Sequence, residues 1–302
     1  MPYSIALAHA ASHNPLLLSQ LTHVTAASQR RLYGGPHSAH SWSEFDWWYA
    51  LPSLRHLNLT YKRFSPLDLR PLSAIPSASL TSISLTEWYT RGQFRTFFQS
   101  CQSRRKVIFR TRTLDISTQL NELIISLGYC KVSLETLEIL GPSTPGLLNR
   151  NEGMAMQSLH VFGNLKHLKI DAEMLLGLDY ATRDIGAHLP QSIERLDLRL
   201  MNWMLSNGAK HLIRSMLNQT EMLYNRIVCP DKEFPQLREL RLHLWREEWE
   251  TQELMQYPLF TPFPPRMLEF QNKGVKFDME WLNNRNWFEG VSGRPPCLGQ
   301  RI

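Results

Sequence analysis

Two histidine pairs, His9 with His13 and His37 with His40, have the close spacing that metal ligands often show. Neither pair brings the third ligand that a zinc site requires, so both read as surface or packing histidines. Cys101, Cys130, Cys229 and Cys297 stand far apart with no C-x-x-C pair, which fits neither a zinc site nor a disulfide framework. Glu247, Glu248 and Glu250, with Asp231 and Glu233, make a local acidic area. A glycosidase pair would need a cleft between two such carboxylates, and a solvated face is the simpler reading. The chain has no G-x-S-x-G elbow, P-loop or G-x-G-x-x-G. These residues therefore assign no catalytic group, no metal and no cofactor, and the expectation is a protein that is not an enzyme.

The densest positive stretch is Arg104-Arg105-Lys106, followed by Arg110 and Arg112. Such a run can bind anions or act as a nuclear localisation signal. It lacks the interleaved aromatics of a nucleic-acid platform, and a solvated loop before a strand is the plainer reading. The formal net charge of +6 over 302 residues is mild and argues in the same direction. A nucleic-acid-associated role through residues 104–112 stays as the alternative.

The charged residues that could bind a partner are set by a recurring apolar step. In NLKHLKIDAEMLLG (164–177), Leu165, Leu168 and Ile170 give L-x-x-L-x-L, followed by the short helix-like patch Met174, Leu175 and Leu176. The step recurs as Leu54-Leu57-Leu59, Leu80-Ile83-Leu85, Leu134-Leu137-Ile139, Ile193-Leu196-Leu198 and Leu237-Leu240-Leu242. Leu21, Val24 and Ala26 give a degenerate first copy. First residues fall 26, 54, 31, 28 and 44 apart: 26 to 31 sit at or slightly above the leucine-rich range, 54 is twice 27, and 44 holds a full helix and an extra connection. The gap of 54 predicts one weakly matching unit, with a strand at 112–116 and a helix at 119–127.

Alternate side chains of a strand face opposite ways, so the apolar residues of each step point inward and the residues between them point out. This predicts one outward row of Asn58, Ser84, Glu138, Lys169, Asp197 and Arg241. A second row holds Thr60, Thr86, Leu140, Asp171, Arg199 and His243. With Arg195 and Glu239, the second half of this face carries both charge signs. The candidate partner-binding residues are therefore Asn58, Ser84, Glu138, Lys169, Asp171, Arg195, Asp197, Arg199, Glu239, Arg241 and His243. The bland reading is that these charges pair across strands and keep a sheet soluble.

Around the steps, residues 119–127, 174–179 and 206–217 have apolar residues at helical spacing. Residues 141–153 are rich in Gly, Pro, Ser and Asn, as a surface loop would be. The aromatic cluster Trp42, Phe45, Trp47, Trp48 and Tyr49 suits a terminal cap. Four prolines in 258–267 argue against an ordinary helix there, Val275 to Trp281 alternates like an edge strand, and the last dozen residues look loose. A composition of 43% hydrophobic and 20% charged residues fits a folded chain. No run approaches the ~18 apolar residues that span a bilayer. The start lacks a basic n-region, so an intracellular protein, cytoplasmic or nuclear, is expected.

LPSLRHLNL (51–59), SLETLEILGP (133–142), FGNLKHLKIDAEMLLG (162–177), LPQSIERLDLR (189–199) and FPQLRELRL (234–242) resemble the leucine-rich-repeat portion of fungal F-box-type proteins. In that family an F-box docks a cullin ubiquitin-ligase adaptor and the repeats hold the substrate. The resemblance therefore implies a substrate-receptor-like role, with a protein ligand and a cullin adaptor as partners. It departs from the family in having no L-P-x-E-I-type F-box helix set. It also lacks the consensus asparagine after the third apolar position, where Lys62, Trp88, Pro142, Glu173, Met201 and Trp245 stand.

The expected fold is a curved α/β leucine-rich-repeat solenoid with irregular repeats. Parallel strands line its concave face, and helices and turns its convex face. Residues 1–50 would form the first repeat and cap, 51–249 the solenoid, and 250–302 a Pro-rich connection, an edge strand and a tail. The expected function is non-enzymatic protein binding on the concave face.

Overall fold

Each recurring apolar step becomes a short strand. The computed structural model describes residues 20–27, 53–60, 79–86, 94–99, 102–110, 116–141, 158–176, 184–200, 208–228, 233–245 and 263–282. The strands are β1 (His23–Ala27), β2 (His56–Thr60), β3 (Ser82–Thr86), β4 (Lys106–Arg110), β5 (Thr136–Leu140), β6 (His167–Asp171), β7 (Arg195–Leu200), β8 (Glu239–Trp245) and β9 (Lys276–Leu282). Their order in the parallel sheet is the chain order. The helices are α1 (Phe94–Gln99), α2 (Ile116–Leu127), α3 (Ala172–Leu176), α4 (Gly208–Val228) and α5 (Phe263–Asn272). This is an α/β architecture with parallel strands, as the spacing predicts. The chain divides into two compact units, one of residues 1–113 and 118–136, the other of 114–117 and 137–302.

In the first unit, Leu54 and Leu80 are buried ahead of their strands, and Leu57, Ile83, Leu85, Val107 and Phe109 are buried within them. Each such side chain contributes about 1.5–3 kcal/mol of transfer free energy, an upper figure for a compact denatured chain. The start of each strand is pinned by a recurring hydrogen bond. The Thr22 carbonyl accepts from the amides of Arg55 and His56, and that of Arg55 accepts from Thr81 and Ser82. The Thr81 and Arg105 carbonyls do the same for Arg105–Lys106 and Glu135–Thr136. Serine hydroxyls add a second tie: Ser79 donates to the Leu54 carbonyl at 2.9 Å, and Ser133 to that of Arg104 at 2.9 Å. Helix α2 buries Leu120, Leu123, Ile124 and Leu127, a stripe at helical spacing.

The second unit repeats this scheme. Leu165, Ile193 and Leu237 fill the first apolar position before β6, β7 and β8, all buried. The Lys166 carbonyl accepts from Glu194 and Arg195, the Glu194 carbonyl from Arg238 and Glu239, and the Arg238 carbonyl from Lys276. Ser192 donates to the Leu165 carbonyl at 2.9 Å. Helix α5 ends in a Schellman turn in which Val275 donates to the Phe270 carbonyl and Gly274 to that of Gln271. Gly274 takes φ +79 there, which a residue without a Cβ adopts freely. The turn sends the chain directly into β9, and Phe270 packs on Tyr224 of α4 and Phe277 of β9 with ring centroids 5.5 and 5.2 Å apart.

Four expectations are corrected. The weakly matching unit, expected to have its strand at 112–116, has one at Lys106–Arg110, and Ile116 belongs to α2; residues 112–115 lie outside the described residues. Arg104 stands where the recurring apolar steps have Leu or Ile, and its side chain is 0% exposed, so the basic run is not one solvated loop. Residues 258–267 do hold the start of a helix: Pro264 and Pro265 lie in the first turn of α5, where an amide would lack an intrahelical partner anyway. The helix expected at 206–217 continues to Val228, because no breaker precedes Pro230. The aromatic cluster, the loop at 142–153 and the tail beyond 282 lie outside the described residues.

Candidate functional site

Strands β6 to β9 of the second unit bring most of the expected binding residues into register. Lys169 pairs with Asp197, Asp197 with Arg241, and Arg241 with Asp278. One step along the strands, Asp171 faces Arg199, Arg199 faces His243, and His243 faces Glu280. One step back, His167, Arg195, Glu239 and Lys276 form a further row. On β6 to β8 the register joins Lys169, Asp197 and Arg241 in one row and Asp171, Arg199 and His243 in the other, as expected, and β9 extends both. Lys276, Asp278 and Glu280 were missed as site residues, although the alternation in Val275 to Trp281 marks their strand. In the first unit Asn58 lies opposite Ser84, and Thr60 opposite Thr86. Glu138 lies on β5.

Burial grades this array along the strands. His167 is exposed, and Lys169, Arg195 and Glu239 are half-buried. Asp171, Arg199, Asp197 and His243 are 2%, 1%, 6% and 5% exposed. The buried end is closed by internal partners. Arg199 pairs with both carboxylate oxygens of Asp171. The Gly141 amide donates to Asp171 Oδ2 at 2.6 Å, and Arg199 Nη2 donates to the Gly141 carbonyl at 3.3 Å. Two backbone groups and two side chains thus form one buried polar knot, the condition under which a buried charge pair is tolerated.

The half-exposed end is a lattice of alternating charges. Arg195 Nη2 lies 2.9 Å from Asp197 Oδ2, and Arg241 Nη2 lies 2.6 Å from Glu239 Oε1. Lys276 Nζ reaches Asp278 at 2.6 Å and Glu239 at 3.3 Å. Burial by itself pushes Glu239 up, but Arg241, Arg195 and Lys276 pull harder and hold its carboxyl below the usual range. Asp197 behaves likewise. Burial is the largest single influence and raises it, and His243 and Arg195 together outweigh that and lower it.

His243 sits between two carboxylates, with Nε2 at 3.6 Å from Asp197 Oδ1 and Nδ1 at 3.3 Å from Glu280 Oε2. Contact with that ring lowers Glu280, burial opposes it, and Lys169 and Arg241 add to the lowering. Neither ring nitrogen meets hydrogen-bond geometry with these carboxylates.

Among the described residues no group of three or more His, Cys, Asp or Glu could hold a metal ion. No described helix is long and apolar enough to cross a membrane. His9, His13, His37, His40, Asp231, Glu247, Glu248 and Glu250 lie outside the described residues, while Glu233 pairs with Arg226. Comparison of the chain with known protein families, characterised proteins and solved structures returns no match.

Proposed function

We propose that the chain is a protein-interaction module, a curved leucine-rich-repeat solenoid that receives a protein partner on its strand face and performs no catalysis. One observation carries the reading. On β6 to β9 the charges at one end of the face are buried and closed on themselves, while Lys169, Arg195, Glu239 and Arg241 beside them stay half-exposed. A sheet that only needed solubility would not have to bury Asp171, Asp197, Arg199 and His243 on the same face. A platform that must hold charged groups in fixed positions gains from such a base. Strand faces of stacked coils are also where such proteins usually bind. By resemblance to the repeat portion of F-box-type proteins, the partner is a substrate of ubiquitin ligation, met inside the cell, with a cullin adaptor as a second contact.

The nucleic-acid alternative is weaker on one specific ground. The side chain of Arg104, at the head of the basic run, is buried and unavailable to a phosphate backbone.

The test compares the tagged wild-type chain with a Lys169→Glu/Arg241→Glu double variant in affinity purification from a fungal lysate. A protein captured by the wild type and lost by a folded variant supports the reading. Equal capture by both places binding elsewhere. Recovery of nucleic acid that falls steeply with salt would favour the alternative.

A further inference from the structure

Arg95 and Gln99 stand four residues apart on α1 and so share one face of the helix. Both are exposed, and both reach the same atom. Arg95 Nε donates to Tyr129 Oη at 3.1 Å, and Gln99 Nε2 donates to it at 2.7 Å. Tyr129 lies in the 3-10 turn Gly128–Cys130 that follows α2, in the same unit as α1. Helix α1 has only six residues, far short of the ~12 at which an isolated helix becomes even marginally stable. Its hold on the unit comes from its surroundings: Phe98 is wholly buried, and Arg95 and Gln99 tether the helix to Tyr129.

A phenol hydroxyl is both a donor and an acceptor. At Tyr129 the oxygen accepts twice, once from a guanidinium, and it donates to none of the described residues. Such a pair of donors suits an oxygen that carries more negative charge than a neutral phenol. Arg95 first and then Gln99 hold the Tyr129 hydroxyl below its ordinary range, burial opposes them, and the charge of Arg95 adds to the lowering. A phosphate monoester supplies the missing charge, with about −1.5 to −2 at neutral pH and three acceptor oxygens. Opposite an arginine it makes short, charge-assisted bonds.

We propose that Tyr129 is a phosphorylation site whose phosphoryl group is held by Arg95 and Gln99 and fastens α1 to the turn after α2. In the modification, Tyr129 Oη attacks the γ-phosphorus of ATP bound to a separate tyrosine kinase. The bond from that phosphorus to the β–γ bridging oxygen breaks, ADP leaves, and the phenolic proton passes to a base of the kinase. The oxygen is open to such an enzyme, because both of its hydrogen bonds lie at the surface and Lys131 and Val132 just after it are exposed. Covalent attachment matters at an exposed site, where free phosphate would lose translational freedom and compete with water for the same donors. Modification here is independent of binding at the strand face.

The experiment compares the full unmodified chain with the full chain carrying phosphotyrosine encoded at position 129. The phosphate should slow hydrogen exchange of the α1 amides about ten-fold, the effect of a hydrogen bond to a charged group on a locally opening segment. By phosphorus NMR it should titrate below the value of about 6 for an isolated phosphotyrosine, because Arg95 favours the dianion. Arg95→Gln should abolish both effects, and Arg95→Lys should restore part of the second. Lys131→Gln, which removes a neighbouring charge outside these bonds, should move both far less. Equal thermal melts of the unmodified variants would show that the fold is kept. Treating the unmodified chain with ATP and a broad-specificity tyrosine kinase domain should place phosphate on Tyr129, mapped by mass spectrometry. No phosphate at Tyr129, a titration unchanged in Arg95→Gln, an equal shift in Lys131→Gln, or equal slowing of exchange by inorganic phosphate would each overturn the proposal.

Discussion

Asp171 on β6 and Arg199 on β7 form a two-oxygen ion pair that is almost wholly buried, and the backbone of Gly141 closes it on both sides. Removing one partner strands a desolvated charge, which typically costs about 3–5 kcal/mol. Asp171→Leu and Arg199→Leu should therefore each destabilise the chain strongly. The Asp171→Leu/Arg199→Leu double variant should lose less than the two single losses added together. Denaturant unfolding of all four proteins in a double-mutant cycle checks this. Additive losses would mean the pair does not act as a unit.

Gly141 has a second constraint. A Cβ there would collide with Met174 Cε and come within 3.1 Å of Asp171 Oδ2. Met174 is flexible but buried, so it cannot swing freely aside. Gly141→Ala should cost about 1–3 kcal/mol, the usual range for overpacking. At Gly163 a Cβ would meet nothing within 4 Å, and Gly163→Ala should be neutral or slightly stabilising. Thermal melts of the two variants side by side give the comparison.

Much of this fold can be read from the L-x-x-L-x-L step, because the residues that set it have no other role than to be apolar. Six clear steps and one degenerate step gave seven strands in the right places, and with them the outward rows. The eighth, β4, was displaced because Arg104 holds the first position of its step, 24 residues after Leu80 and 30 before Leu134. No apolar search finds a buried arginine. A different signal would have helped: Ser79, Ser133 and Ser192 each stand immediately before the first apolar position and tie it to the preceding unit. The candidate site was legible as two rows of charge. Its division into a buried, closed end and a half-exposed end was not, since burial of the third row depends on what packs there rather than on residue type.

The His243 cluster gives a pH dependence whose sign is fixed. Asp197 and Glu280 both have carboxyls held below their ordinary range in the fold. Their contribution to stability is fully present above the unfolded carboxylate values, near 4, and is lost as pH falls through the lower folded values. Stability measured by urea unfolding should therefore decline steeply only below about pH 4. His243→Gln removes the ring that helps lower both groups, so its stability should fall less steeply over that same interval. An identical slope in the variant would show that other carboxylates dominate acid unfolding.

Asp197 and Lys169 are register partners on adjacent strands, yet they should respond to charge reversal in opposite ways. Asp197 is buried and within 4 Å of three cationic or titratable groups: Arg195 at 2.9 Å, His243 at 3.6 Å and Arg241 at 3.9 Å. Asp197→Lys would place a fourth such group among them in a site with little water, and it should unfold the chain or lower its melting temperature severely. Lys169 is only half-buried, and half-exposed ion pairs contribute about 0–1 kcal/mol. Lys169→Glu should therefore leave the melt close to wild type, while placing an anion beside the carboxylates of Asp197 and Glu280. If Lys169→Glu also collapses the fold, the half-exposed end of the array is structural. A loss of partner in a Lys169 variant would then say nothing about recognition. If it melts normally and loses its partner, that loss can be assigned to recognition itself.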